Sequence, residues 1–481
     1  MIKKLKLIRE LGLQSKIVVC LLFFILLFVS IWRLQYSPAT WYDEGLNAGI
    51  AKSLVEEGIY SLKVGPGEFV EERQFLITTN YPVILPVALS LKIFGNNFVS
   101  ARIPMIIYLF LFAGASYLLV YKWFGKESAL MTLALIVVFL PFYGNGKSVL
   151  GEVAGLFYLL AGLYYLDSKK LWRLFVAGLF LGLSVATKPF FLLVLPALFV
   201  GEVYKVIKSG ARQPSAYIML IFSGFIPLLF WFWIINPNFT LSNIISTLGY
   251  YSNSYADNTN IYQLIFSNLK RFVSETTPLH FIVMLIASVW LIINLVRKKE
   301  STSAQITLIS FILLNFVWYL KTPGWYRYFF PAHLVLFLFF PAGLKKIFSE
   351  RIVLSIIIFF LAVQSFMLVS KRNESLYYSS EVQDFVSYIN ESTDIGEEIL
   401  VINSPSVAFL LSHKSVLQYI RINPELVFAT ESVKKNTESI NSLYVTLGSL
   451  NEYDINIKDI LDTDYKEIKN IGHYTLYKRL K

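Results

Sequence analysis

The sequence predicts a polytopic α-helical membrane protein of about eleven transmembrane helices, followed by a small extracytoplasmic α/β domain. Three observations carry this expectation. Hydrophobic residues make up 56% of the 481 and charged residues only 16%, with a mean hydropathy of +0.57. Soluble chains carry about 25% charge, so lipid is the implied solvent. Apolar runs of membrane length recur as far as residue 370. The Lys and Arg behind the net charge of +11 collect in alternate short connectors, the positive-inside pattern. They form no continuous basic stripe, which argues against nucleic acid as a partner.

Taken in order, Lys3, Lys4, Lys6, Arg9 and Lys16 precede an uncharged run, Ile17 to Trp32. No small-residue cleavage site follows, so the run reads as a retained first helix with its amino end in the cytoplasm. Arg33 can snorkel and let the span reach Tyr36. A first outer loop, about 37–97, is too long for a simple connector. Within it, Tyr81 to Gly95 is apolar but short and holds two prolines, which favours a helix lying along the interface. Further spans are expected near 98–121, 127–144, 150–166, 171–187, 189–204, 215–235, 279–296, 304–320, 328–344 and 351–370.

Charge checks this topology. The connectors placed inside hold Lys122 and Lys126, then Lys169 and Lys170, then Lys205, Lys208 and Arg212. Arg297 to Lys299 follow, then Lys345, Lys346 and Arg351, so every inside connector is basic. Outside segments are mixed, with Glu68, Glu71, Glu72 and Arg73 close together. If Tyr81 to Gly95 crossed the membrane, every later span would invert, and the basic connectors argue against that. The Asn236–Pro278 loop falls outside, as do the sequons at Asn238, Asn373 and Asn390.

The transmembrane part is expected over 1–374 and the soluble α/β domain over 375–481, where charge returns. Strand-like runs there are Ile399–Ile402, Tyr444–Leu447 and Tyr474–Tyr477; helix-like stretches are Glu381–Ile389 and Ser406–Leu411.

Cys20 is the single cysteine, and His280, His333, His413 and His473 lack ligand spacing, so neither a disulfide framework nor a metal motif is written in the chain. The chemistry-bearing candidates are acids and bases at the edges of spans. Trp41-Tyr42-Asp43-Glu44-Gly45 opens the outer loop, and the topology puts Arg102, Lys147, Glu152, Lys188, Lys321 and Arg327 near the same membrane face. Any one of these is most simply a snorkelling anchor or a helix–helix ion pair. A convergent set on one side points to chemistry at the lipid–water boundary.

The order of motifs then carries a resemblance. Asp43-Glu44 follows the first span, and a Tyr-Pro…Pro…Phe-Gly stretch leads to Ala101-Arg102-Ile103-Pro104. Gly146-Lys-Ser-Val-Leu-Gly-Glu152, Thr187-Lys-Pro189 and Trp325-Tyr-Arg-Tyr328 with Pro331 come after. Over about residues 15–370 the chain resembles the dolichyl-phosphate-mannose protein mannosyltransferase and aminoarabinose transferase superfamily, which implies the glycosyltransferase C-type fold. Lys147 stands where many relatives have arginine, and the tail lacks a Trp-Trp-Asp-type motif, so the oligosaccharyltransferase branch is a poor match.

The resemblance implies a plasma-membrane enzyme that moves one sugar from a polyprenyl-phosphate donor to a hydroxyl of a protein, polysaccharide or glycolipid on the outer face. It implies Asp43 as the base, with Glu44 orienting Asp43 or the acceptor. Lys188 and Arg327 are the expected cations on the leaving phosphate. Arg102 is expected beside the acidic pair, Glu152 on sugar hydroxyls or paired with Lys147, and Tyr326 in a supporting place. A monophosphate leaving group needs no metal and no ligand set demands one, although two adjacent carboxylates leave room for a divalent cation. The competing expectation is a transporter or flippase of lipid-linked saccharides, which favours mid-span polar residues and repeated halves. No clear internal repeat is present, and the ionisable residues gather at one face.

Overall fold

The computed structural model describes residues 12–73, 78–236, 240–252, 260–274, 276–322, 324–370, 378–421, 427–435, 441–448 and 455–480. The chain enters through α1 (Leu13–Ile31). The outer loop then builds α2 (Tyr42–Glu57), a hairpin of β1 (Lys63–Gly65) and β2 (Glu68–Phe69), and α3 (Tyr81–Phe94). α4 (Phe98–Phe124), α5 (Lys126–Val137), α6 (Leu140–Gly146), α7 (Glu152–Leu166) and α8 (Leu171–Thr187) follow. A 3-10 turn, Pro189–Leu193, leads into α9 (Val194–Ser209) and then α10 (Pro214–Ile235). α11 (Leu241–Ser252) and α12 (Ile261–Ser274) precede α13 (Thr276–Arg297), α14 (Ser303–Tyr319), α15 (Tyr326–Leu336), α16 (Phe340–Ile347) and α17 (Glu350–Ser370).

Among the described residues six helices are long and apolar enough to cross a membrane, and two bent pairs raise the number to at most eight. The pairs are α5 with α6, bent by 64°, and α15 with α16, bent by 55°. Pro141 and Pro341 sit in the first turn of each second helix. Proline lacks the N–H that would carry the previous helix's hydrogen-bond ladder onward, so the ladder breaks there and the chain turns. Of the eleven spans expected, the remaining three are α7, α8 and α14, helices of 15, 17 and 17 residues. α8 and α14 sit at the lower end of the roughly 17–25 residues that span a bilayer, and α7 lies just below it. α7 is apolar because protein surrounds much of it: Leu156, Leu159, Leu160 and Leu163 are all fully buried.

Lipid-type surface lies elsewhere. Phe24, Phe199, Phe222 and Phe366 project outward from α1, α9, α10 and α17. α3 forms where the interfacial helix was expected, and Leu85, Leu89 and Ile93, one turn apart, make its exposed apolar stripe. α8 and α10 pack backbone to backbone: a Cβ on Gly178 would sit 2.2 Å from the Leu220 carbonyl, and one on Gly182 2.2 Å from that of Gly224. Small residues let apolar helices approach in this way.

Past the last long helix come α18 (Glu381–Ser392), β3 (Glu398–Ile402), α19 (Pro405–Leu410), β4 (Ser415–Arg421) and β5 (Val427–Phe428). α20 (Glu431–Lys435), β6 (Tyr444–Leu447), α21 (Ile455–Asp464), β7 (Tyr465–Ile471) and β8 (Tyr474–Arg479) complete the chain. The strands form one sheet in the order β5-β4-β3-β6-β8-β7, with β3 parallel to β4 and β6 and the outer pairs antiparallel. β3 is buried from Ile399 to Ile402, as a central parallel strand covered on both faces should be.

The expected boundary at 374/375 and the sequons at Asn238 and Asn373 lie outside the described residues. Packing crosses that region: a single buried cluster joins Leu46, Ala48, Val83 and Phe98 to Phe385, Ile399, Val407 and Phe409. The sheet therefore rests on α2, α3 and α4 as part of one core.

Candidate functional site

Asp43 and Glu44 lie in the first turn of helix α2, where acidic side chains oppose the positive end of the helix dipole. Successive helical residues point about 100° apart, so the two acids take different partners.

Glu44 turns inward and is fully buried with Arg102. Arg102 Nε donates to Glu44 Oε1 at 2.8 Å and Nη2 to Oε2 at 2.7 Å, a bidentate fork. The Val149 amide donates to Oε1 at 3.3 Å. Arg102 also donates through Nη1 to the Leu34 carbonyl at 2.7 Å and through Nη2 to that of Pro38 at 3.0 Å. The pair thus ties α2, α4, the loop before α7 and the chain leaving α1.

Asp43 points to the other side. Arg327 Nη1, at the start of α15, donates to Asp43 Oδ2 at 2.5 Å. Asp43 keeps 26% of its side chain exposed and Arg327 10%, so this pair borders open space while the Glu44 pair does not. Arg327 Nη2 donates to the Tyr328 hydroxyl at 3.1 Å. The guanidinium carbon lies 5.0 Å from the Trp325 and Tyr328 rings and 6.0 Å from the Trp41 ring, within cation–π range. A guanidinium has five N–H bonds; Nε is buried and finds no partner among the described residues.

The loop between α6 and α7 is the hub. Asn47 Nδ2 donates to the Val149 carbonyl at 2.5 Å, and Thr79 Oγ1 to that of Leu150 at 3.0 Å. Gly151 turns the chain with φ of +87°, and a Cβ there would meet Thr79 Cγ2 at 3.1 Å. That turn starts α7 with Glu152 facing the end of α8. Lys188 Nζ donates to Glu152 Oε1 at 2.6 Å and to the Leu150 carbonyl at 2.9 Å. Glu152 therefore pairs with Lys188 and not with Lys147, which corrects the expected pairing. Glu152 Oε2 is buried without a hydrogen-bond partner among the described residues, and its charge also acts on Arg327.

Lys147 instead donates to the Trp32 carbonyl at 3.1 Å, near the end of α1. Burial, then the neighbouring Arg102 charge, pull its ammonium down to about 7, with Glu44 opposing. Tyr326 also leaves the acid–base group: its hydroxyl lies 3.1 Å from His333 Nδ1, and His333 Nε2 lies 3.1 Å from His280 Nδ1. Lys321 is exposed. Among the described residues no three His, Cys, Asp or Glu side chains converge as metal ligands.

Trp41, Trp325 and Tyr328 stand in the motifs of the sequence but were given no role; they are the rings around Arg327. Their aromatic density beside an acid and a base was the available signal.

The sequence model of the dolichyl-phosphate-mannose-protein mannosyltransferase family matches residues 83–231, from α3 into α10. No curated protein sequence matches significantly. Among solved structures, ArnT from Cupriavidus metallidurans in the apo state superposes with a TM-score of 0.63 at 12% identity, covering 96% of this chain and 98% of its own. The same protein bound to undecaprenyl phosphate gives 0.61 at 13% identity with the same coverage. The oligosaccharyltransferase of Archaeoglobus fulgidus, in complex with Zn and sulfate, gives 0.54 at 12% identity, covering 89% of this chain and 67% of that one. At such identities the likeness is one of fold. The chain has the glycosyltransferase C-type fold, and its resemblance to the superfamily is borne out by that fold and by the family match over residues 83–231.

Proposed function

We propose that this chain is a membrane glycosyltransferase that moves a single sugar from a polyprenyl-phosphate donor to a hydroxyl acceptor on the outer membrane face. The Asp43–Arg327 contact carries the reading: a carboxylate and a guanidinium meet at a partly open edge of this fold. Asp43 takes the proton of the acceptor hydroxyl, most directly at Oδ1, since Oδ2 accepts from Arg327. The acceptor oxygen bonds to the anomeric carbon of the donor sugar. The bond from that carbon to the phosphate oxygen breaks, and its electron pair leaves with the prenyl phosphate.

That leaving group needs cations. Arg327 can hold Asp43 through Nη1 and still bring its positive charge to phosphate oxygens at the partly open edge. Lys188 supplies a second positive charge, shared with Glu152. ArnT, solved with undecaprenyl phosphate bound, supports a polyprenyl phosphate as the carrier. The Asp43 and Glu44 carboxylates already have arginine partners, so no step here is routed through a metal. In this reading Glu44, Arg102 and Lys147 build the floor under Asp43 and do not touch substrate.

The test is incorporation of labelled sugar from a prenyl-phosphate donor in membranes containing the protein. Asp43→Asn is expected to abolish transfer while leaving membrane insertion intact. Normal turnover in that variant would remove Asp43 from the mechanism, and movement of the lipid without sugar transfer would favour a flippase.

A further inference from the structure

We propose that α19, in the carboxyl-terminal sheet unit, is a positioning element that holds the first turn of α2 and so places Asp43 against Arg327. The proposal rests on the reading of Asp43 as the base.

Asp43 and Gly45 are two residues apart on α2 and so project about 200° from one another. Asp43 meets Arg327, while Gly45 meets Ser406 of α19 on the opposite side. There is no room at that second contact. A Cβ on Gly45 would lie 2.3 Å from the Ser406 nitrogen, 2.4 Å from its Oγ and 2.7 Å from its Cα. Ser406 Oγ donates to the Trp41 carbonyl at 3.3 Å, and Trp41 is the residue that opens α2 and turns its ring toward Arg327.

The grip continues two turns further along. Lys52 Nζ donates to the carbonyls of Phe409 at 3.0 Å and Leu411 at 3.4 Å, closing the carboxyl end of α19. Burial lowers the Lys52 ammonium, with Glu56 opposing, yet the carbonyls hold it in place. Phe409 packs on Phe98 at 5.0 Å between ring centroids, one turn before Arg102. α2 is thus clamped between α15 on its Asp43 side and α19 on its Gly45 side.

The size of the effect follows from the clearance. Ordinary contact at the Gly45 Cβ needs about 3.4 Å, so Gly45→Ala must open the contact between α2 and α19 by about 1 Å, a shift that the first turn of α2 shares. A misplacement of that size at a reacting group costs on the order of 10²-fold in rate. In full-length purified protein, Gly45→Ala is therefore expected to lower kcat by about 10²-fold per folded molecule with donor KM within about twofold. Should Gly45→Ala not accumulate, Ser406→Ala deletes only the hydroxyl on Trp41 and is expected to lower kcat by about two- to tenfold, again at unchanged KM. Unchanged kcat in Ser406→Ala, or a Gly45→Ala loss confined to thermal stability and yield, would overturn the proposal. Asp43→Asn measured in parallel keeps the two readings apart. If it retains turnover, the base assignment fails; if it is dead while Gly45→Ala is fully active, only the positioning role fails.

Discussion

Glu44→Gln is expected to unfold the protein more readily without acting on the chemistry directly. Both Glu44 oxygens accept from Arg102, at 2.8 and 2.7 Å, and neither side chain has any exposed surface. A glutamine keeps the shape but turns an NH2 toward a guanidinium N–H, donor against donor. The Arg102 charge would then lose its counter-charge and rest on neutral acceptors, the remaining amide oxygen and the carbonyls of Leu34, Gln35 and Pro38. Removing one partner of a buried ion pair costs about 3–5 kcal/mol. That is about 10²–10⁴ in the ratio of folded to unfolded protein. Thermal unfolding of the detergent-purified protein, followed by tryptophan fluorescence, reads the loss. Sugar transfer per folded molecule, measured alongside, reads the chemistry. Arg102→Gln should cost a similar amount, and the double variant should be less destabilised than the two singles summed, by about 1–3 kcal/mol. An unfolding midpoint within about 1 °C of the parent, with transfer abolished, would refute the structural role and return Glu44 to the reaction.

Lys188→Met strands Glu152 in a site where its side chain is 1% exposed, so a loss of about 3–5 kcal/mol is expected. Adding Glu152→Leu should restore stability but not donor use; recovery of both would deny Lys188 a phosphate role. Lys147 is held near 7, against its ordinary 10.5. Between those values the unfolded chain binds the extra proton, so this residue makes stability rise with pH, and below about 7 the cost of its buried charge is fully present. Lys147→Met should therefore raise the unfolding midpoint over the parent by more at pH 6 than at pH 9. An equal difference at both pH values would show that burial does not depress this ammonium.

Much of the membrane body was legible because lipid writes itself into composition. Helix length was less legible, because a helix wrapped by protein is as apolar as one wrapped by lipid: α7 was expected over 150–166 and its helix runs over 15 residues, much of it buried. The acids at 43 and 44 were legible as a pair, but their separation was not. α2 gives little helical pattern, and Gly45 and Gly49, which resemble loop residues, are there because Ser406 and Leu62 approach so closely. Glu152 could not be matched to Lys188 from spacing, since the choice was made by the left-handed turn at Gly151. His280 and His333 are 53 residues apart and meet only because α13 packs against α15.

The change of composition near 375 is the most instructive of these cases. It suggests a small soluble α/β domain, and Phe385, Ile399 and Phe409 of that segment share a buried cluster with Leu46, Val83 and Phe98. Composition reports which solvent a segment faces, water in place of lipid; it says nothing of which protein surface the segment covers. Here that surface includes the helix that carries Asp43. The sheet unit reaches that helix through Ser406, which donates to the Trp41 carbonyl, and through the Phe409 carbonyl, which accepts from Lys52. A polar segment can thus share a core with the membrane body, here through α19 against the first turn of α2.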